Sequence, residues 1–202
     1  MAISYPLTIP NHDFASFTMR MKRVVGYNES TFTLEQQVYE HQGARWEAEV
    51  TLPPMTHTEA RQWQAFFISL KGRRGTFIMG NPLQDDIAGT ATAATLNAAA
   101  AVRATEITVD GSSDGTTFLA GDYFQIGTGD DSHIHQVVQN ATFASGSATL
   151  TIEPPLRTTY ADNTTLDLTY PKGVWRLASN DIEWKISQAS IYGFTFACIE
   201  AL

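Results

Sequence analysis

The sequence predicts an all-β protein made of two units: a split β-sandwich with one helix, and a small inserted β-barrel. Most apolar runs are short and alternate with polar residues, and turns containing Gly, Asp or Ser separate them. Residues 84–170 carry eleven acidic and two basic side chains, whereas the rest of the chain is close to neutral. We therefore predict that residues 1–83 and 171–202 form the sandwich and that residues 84–170 form the barrel.

Composition favours a folded chain that associates with other proteins. Aromatic residues make up 11% of the chain, and charged residues only 17% against about 25% in a typical soluble protein. The start of the sequence lacks a basic region followed by an apolar run, so we expect no secretory leader and folding in the cytoplasm. The only cysteine, Cys198, lies in an aromatic strand pattern and is expected in the core. The acidic segment would repel phosphates, which argues against binding nucleic acid.

The N-terminal region predicts strands and one helix. Residues 14–25 and 31–39 read as strands joined by a turn at 26–28, and residues 45–51 read as a half-buried strand. Thr56 and Glu59 have capping-box spacing, which predicts a helix over 56–72 that ends at Gly72. A short strand at 75–79 follows.

Short strands also dominate the rest of the chain. Residues 88–101 are almost all Ala, Thr and Gly, and we interpret them as a connector or a weak edge strand. Barrel strands are predicted at 106–109, 123–126, 134–138, 148–152 and 165–169. The strands at 174–177, 182–186 and 192–200 resume the aromatic, near-neutral pattern and are expected to pair with the N-terminal strands.

Motifs for catalysis or metal binding are weak. His133 and His135 share one strand face, but no further ligands repeat that spacing, so a solvated strand face is the favoured interpretation. Residues 110–115 resemble a calcium loop only partly and fit a hairpin turn better. The basic cluster at 71–74 fits a helix C-terminus, with a phosphate or subunit contact as the alternative. We therefore predict no enzyme activity, no catalytic residue, no metal and no cofactor.

Several stretches resemble the distal tail proteins of long-tailed bacteriophages. The resemblance lies in residues 46–55, 63–77, 119–126 and 148–157, and it consists of turns and strand edges rather than catalytic signatures. It implies a hexameric ring at the tail tip of the virion, between the tail tube protein and the hub or tip protein that recognises the host. It also implies that the insert is a peripheral barrel of the oligonucleotide/oligosaccharide-binding type. No membrane and no sequence-specific nucleic acid are expected as partners.

Ring contacts are expected on the 45–55 strand, the helix and the C-terminal strands, where charge is low and aromatic content is high. The candidate ring interface is Trp46, Val50, Leu52, Trp63, Phe67, Arg73, Arg74, Trp184 and Phe194. Three alternatives stay open: a carbohydrate-binding module, a glycoside hydrolase, and another minor tail or adaptor protein. In a carbohydrate-binding module, Tyr123, Phe124 and Tyr160 would stack on host-surface glycans.

Overall fold

The computed structural model describes residues 3–82, 86–186 and 192–202. The predicted boundary between residues 83 and 84 lies outside these residues. The all-β prediction with one helix and a small barrel is confirmed: one mixed sheet and one closed six-stranded barrel account for most of the described strands.

The sheet is formed by strands from both ends of the chain. The strands are β1 Leu7–Thr8, β2 Ser16–Glu29, β3 Gln36–Thr51, β4 Thr76–Gly80, β13 Lys172–Leu177, β14 Trp184–Ile186 and β15 Tyr192–Glu200. Their order in the sheet is β1-β4-β13-β15-β3-β2, and β14 pairs with β15 beside this path. Among these described strands, only β1 and β4 pair in parallel.

Helix α1, His57–Leu70, covers one face of this sheet. The backbone N–H of Thr56 donates to the Glu59 carboxylate at 2.9 Å, so the predicted capping interaction forms. Lys71 ends the helix in the left-handed conformation with a φ of 53°. The buried side of the helix packs ring against ring on the sheet, through Trp63, Phe66 and Phe67 on the helix and Phe77, Phe194 and Phe196 on the strands.

The barrel strands are β5 Ala94–Leu96, β6 Glu106–Asp110, β8 Tyr123–Ile126, β9 His133–Val137, β11 Ala148–Glu153 and β12 Thr165–Asp167. The barrel closes in the order β11-β6-β5-β12-β8-β9, and every neighbouring pair is antiparallel. Its interior is filled by apolar side chains such as Leu96, Phe124 and Leu150, which have no exposed surface. A short pair, β7 Thr117–Phe118 with β10 Ala141–Thr142, lies beside it.

The Ala/Thr-rich stretch is part of the barrel and not an edge. Its strand β5 lies between β6 and β12. The buried Asp122 carboxylate accepts the backbone N–H groups of Ala88 at 2.7 Å and Gly89 at 3.2 Å, which ties the start of the stretch to the barrel. A Cβ at Gly89 would lie 2.2 Å from the Thr117 carbonyl oxygen, so only glycine fits there.

The predicted turn at 26–28 is wrong. Strand β2 continues through these residues, and Gly26 pairs with Tyr39 on β3. The chain reverses instead after Ser30, whose backbone N–H donates to the Glu35 carbonyl at 2.9 Å and whose carbonyl accepts the Leu34 N–H at 2.9 Å. Leu34 takes a positive φ of 57°, a conformation that is uncommon for leucine and that its presence in the sequence does not predict.

We expect Phe67→Ala to lower the free energy of unfolding by about 3–5 kcal/mol, because it empties a packed aromatic position between helix and sheet. Arg61→Ala, an exposed change on the same helix, should alter it by no more than about 0.5 kcal/mol. Urea unfolding followed by tryptophan fluorescence measures both. Equal effects of the two changes would contradict the described packing.

Candidate functional site

The barrel joins the sheet through Trp46 on β3. Its backbone N–H donates to the Glu200 carboxylate on β15 at 3.0 Å, and its indole N–H donates to the Ile134 carbonyl on β9 at 2.9 Å. The Tyr123 ring of β8 packs on the indole, with the ring centroids 5.9 Å apart. Through its backbone and its side chain, this one residue thus links two sheet strands and the barrel wall.

Glu200 and Arg157 form a buried ion pair at this junction. The Arg157 guanidinium donates to both Glu200 oxygens, at 2.9 and 2.5 Å, and only 4% of the Glu200 side chain is exposed. His133 Nδ1 lies 3.6 Å from the same carboxylate. Burial raises the pKa of Glu200, but His133 and Arg157 outweigh it and hold the pKa below its usual value. The carboxylate is therefore charged at neutral pH and bound to the barrel.

His133 and His135 are buried, so the predicted solvated strand face is wrong. His135 has no exposed surface, stacks on Phe124, and donates its Nδ1–H to the Pro154 carbonyl at 2.7 Å. Burial lowers the pKa of His135 to about 4. Strand alternation predicted that both histidines share a face, but it does not reveal that this face turns towards the barrel interior, where Phe124 pairs with His135 and Ile126 pairs with His133.

A cleft of about 680 Å³ opens beside the ion pair. Residues of both charge signs and apolar residues line it, among them His41, Arg103, Asp131, His133, Leu156 and Leu202. The only cysteine is elsewhere, buried at position 198, and burial raises the pKa of its thiol. Among residues 3–82, 86–186 and 192–202, no group of three His, Cys, Asp or Glu side chains is placed to hold a metal ion.

The subunit buries six of the nine candidate ring-interface residues in its own core. Each is at most 5% exposed: Trp46, Val50, Leu52, Trp63, Phe67 and Phe194. Arg73 and Arg74 are exposed on the short 3₁₀ turn after the helix, and Trp184 is 37% exposed. Low charge and high aromatic content indicate that a surface is buried. They do not indicate whether helix α1 of the same subunit or a partner protein buries it.

The predicted glycan contacts do not form a stacking platform. Phe124 is 0% exposed and Tyr160 is 7% exposed, so neither offers a ring face to a sugar. Tyr123 is partly buried against Trp46 at the junction. The three residues therefore belong to the barrel core and to its contact with the sheet.

The second face of the sheet is open along its centre. Thr18, Glu49, Thr195 and Ala197 are exposed on it, and the paired register of β2, β3 and β15 places them on the same side. Strand β2 is the last strand at one edge of the sheet. The outer edge of this 14-residue strand therefore has no neighbour among the described residues. The sheet thus offers both a face and an edge to a partner.

Beyond the sheet, β2 and β3 continue as a two-stranded arm formed by residues 24–43. All of its β3 residues, Gln36 to Gly43, are exposed. Seven large apolar side chains on it are at least 48% exposed: Val24, Val25, Tyr27, Phe32, Leu34, Val38 and Tyr39. At its base, Arg23 binds Glu153 of the barrel at 2.7 Å. The sequence shows that these residues are apolar. The turn predicted at 26–28 interrupts strand β2, however, so the arm was not predicted from the sequence.

No protein-family model matches the chain, and no curated protein matches it. Within the described part of the chain, no helix is long and apolar enough to cross a membrane.

We expect Glu200→Gln to lower the free energy of unfolding by about 3–5 kcal/mol, because it leaves the Arg157 guanidinium buried without its counter-charge. Glu40→Gln is the matched control, since the Glu40 side chain is 76% exposed and its pair with Arg23 should contribute about 0–1 kcal/mol. Denaturant unfolding at pH 7 measures both. A Glu200→Gln cost no larger than that of the control would argue against the buried pair.

His135 should make stability depend on pH. The folded protein favours the neutral His135 ring, because the pKa of His135 is lower in the folded than in the unfolded chain. The contribution of His135 to the free energy of unfolding is therefore complete above the unfolded pKa of 6.5, decreases as the pH falls below it, and is lost as the pH falls through about 4. Between pH 7 and pH 5 we expect this residue to cost about 2 kcal/mol of unfolding free energy. His135→Phe should remove that difference, whereas Ile152→Val, a buried barrel change without a titrating group, should keep it.

Proposed function

We propose that the chain is a structural protein of a bacteriophage tail, which forms a ring of six copies joining the tail tube to the host-recognition tip. The observation that carries this proposal is the combination, in one subunit, of an open sheet face, an edge strand with no further neighbour among the described strands, and an exposed apolar arm. The resemblance of the sequence to distal tail proteins supplies the number six and the neighbours.

The sheet supports assembly into a ring. The free backbone groups along β2 are a template for pairing with another chain, and proteins that stay monomeric usually blunt such an edge. The strand at the opposite edge is β1, which has only two residues, so the two edges of the sheet differ in length. Contacts between two different surfaces are heterologous, and they close into a ring when the rotation between copies fits.

The arm supports assembly independently. An isolated two-stranded hairpin is marginal in water, and this one leaves its apolar side chains exposed. Exposed apolar surface of this kind marks a protein contact. The arm would therefore gain much of its order from a neighbouring subunit or from another tail protein.

The acidic barrel is proposed as the peripheral unit of the ring. It has its own apolar core and is held to the sheet by the Glu200–Arg157 pair, so it does not need a partner to fold. Its excess of carboxylates would keep neighbouring barrels apart by repulsion. No exposed aromatic platform on the described barrel favours glycan binding over this structural role.

The mass of the assembled protein tests the proposal. We expect light scattering to give six times the chain mass of 22.2 kDa at high protein concentration, and negative-stain images to show six-fold rings with a central channel. If the ring closes only on its tube, the protein should form rings when the purified tail tube protein is added. A monomer both alone and with tube protein would refute the proposed function.

A further inference from the structure

A small apolar groove lies at the C-terminal end of helix α1. This groove, called the groove below, has a volume of about 200 Å³. Its lining residues are Phe67, Ile68, Gly72, Asn180, Ile182 and Trp184. Ile68 is 67% exposed and Trp184 is 37% exposed, although both are large apolar side chains. Its size suits one inserted side chain and is too small for a drug-sized ligand.

We propose that the tip of the arm of one copy, residues 30–35, docks into the groove of the next copy. This inference rests on the proposed ring and names the contact that links its subunits. The contact is heterologous, because a convex tip on one copy meets a concave surface on another.

The tip has the side chains that such a groove accepts. Phe32 is 96% exposed and Leu34 is 68% exposed, and both lie in the reversal between β2 and β3. An aromatic anchor in an apolar pocket is the usual centre of a protein–protein contact. Phe32 therefore serves as the anchor, and Leu34 extends the contact towards Ile68 on the rim.

Charge on the two surfaces is complementary. Around the tip, Glu29 and Glu35 are the only charged residues between 24 and 39, and neither forms an ion pair among the described residues. Next to the groove, Lys71, Arg73 and Arg74 are exposed, and none of them forms an ion pair within the described chain. Asp181, Glu183 and Lys185 are exposed and adjoin the lining residues Asn180, Ile182 and Trp184 in sequence. Together with Lys71, Arg73 and Arg74 they make four basic and two acidic side chains, so the net charge around the groove is positive.

The acidic, apolar tip fits this basic rim better than it fits an anionic lipid surface or a nucleic acid, both of which would repel its carboxylates. The length of the arm also favours a second copy. From Ala44, where β3 becomes buried, to Gln36 the strand extends by about 27 Å, which carries the tip well past its own sheet.

Disulfide trapping between two differently tagged chains tests the contact. One chain carries Phe32→Cys and the other Ile68→Cys, so a disulfide between the two tags joins different copies. Cys198 is buried and does not interfere. We expect the mixed disulfide to form under mild oxidation at concentrations where the protein assembles. The matched control pairs Phe32→Cys with Val102→Cys, an exposed apolar position on the barrel that is 48% exposed, and should give little product.

A second measurement uses Phe32→Ser, which should not disturb folding because the side chain contacts almost nothing in its own subunit. We expect it to raise the concentration at which half of the protein assembles by about tenfold or more. Val102→Ser should leave that concentration unchanged. Far-UV circular dichroism confirms that both variants fold.

The outcomes separate this inference from the proposed function. Rings that form normally from Phe32→Ser chains, with no mixed disulfide, would overturn the docking contact and leave the ring in place; the arm would then serve another tail protein. A wild-type chain that stays monomeric with tube protein and gives no mixed disulfide would overturn both. A mixed disulfide above the control level, together with weaker assembly of Phe32→Ser, supports the contact.

Discussion

The ion pair between Glu200 and Arg157 is the constraint on which the arrangement of the two units depends. A carboxylate and a guanidinium removed from water are costly, and the cost is offset only when the geometry is good and the remaining hydrogen bonds are made. Here the arginine binds both oxygens, and the backbone N–H of Trp46 donates to the same carboxylate. Because these groups come from β15, the barrel and β3, the pair is satisfied only when the barrel sits against the sheet in this one way.

Backbone hydrogen bonds also hold the barrel against the sheet. Where the chain leaves the barrel and enters β13, the Lys172 N–H donates to the Gln125 side chain at 2.9 Å and the Val174 N–H donates to the Ser132 carbonyl at 3.1 Å. A Cβ at Gly173 would come within 3.3 Å of Ile134, so the glycine allows strand and barrel to approach closely. The base of the arm is held by Arg23 on Glu153. The base of the arm is therefore tied to the barrel as well as to the sheet.

Sequence patterns predicted the elements better than the surfaces. Alternation, turn residues and the Thr56–Glu59 spacing gave the strands and the helix, because each depends on neighbours along the chain. They did not distinguish the core from the interface: Phe67 and Phe194 were expected at a subunit contact but are covered by each other within one subunit. The reversal near Leu34 was also missed, since it uses no glycine or proline. The burial of His135 depends on contacts distant in sequence, which no local pattern contains.

The contrast between two sets of aromatic residues bears on the proposed association with other chains. Trp63 and Phe67 lose nearly all their exposed surface within the subunit, so the hydrophobic effect there is already used for folding. Phe32 and Tyr39 keep more than half of theirs on a hairpin that pairs with no third strand of the described chain. A surface with this many exposed apolar groups is unfavourable for a monomer unless something covers it. Because the sheet edge beside the arm also has no neighbour among the described residues, its free backbone groups and the exposed apolar side chains lie close together, where a single partner would cover both.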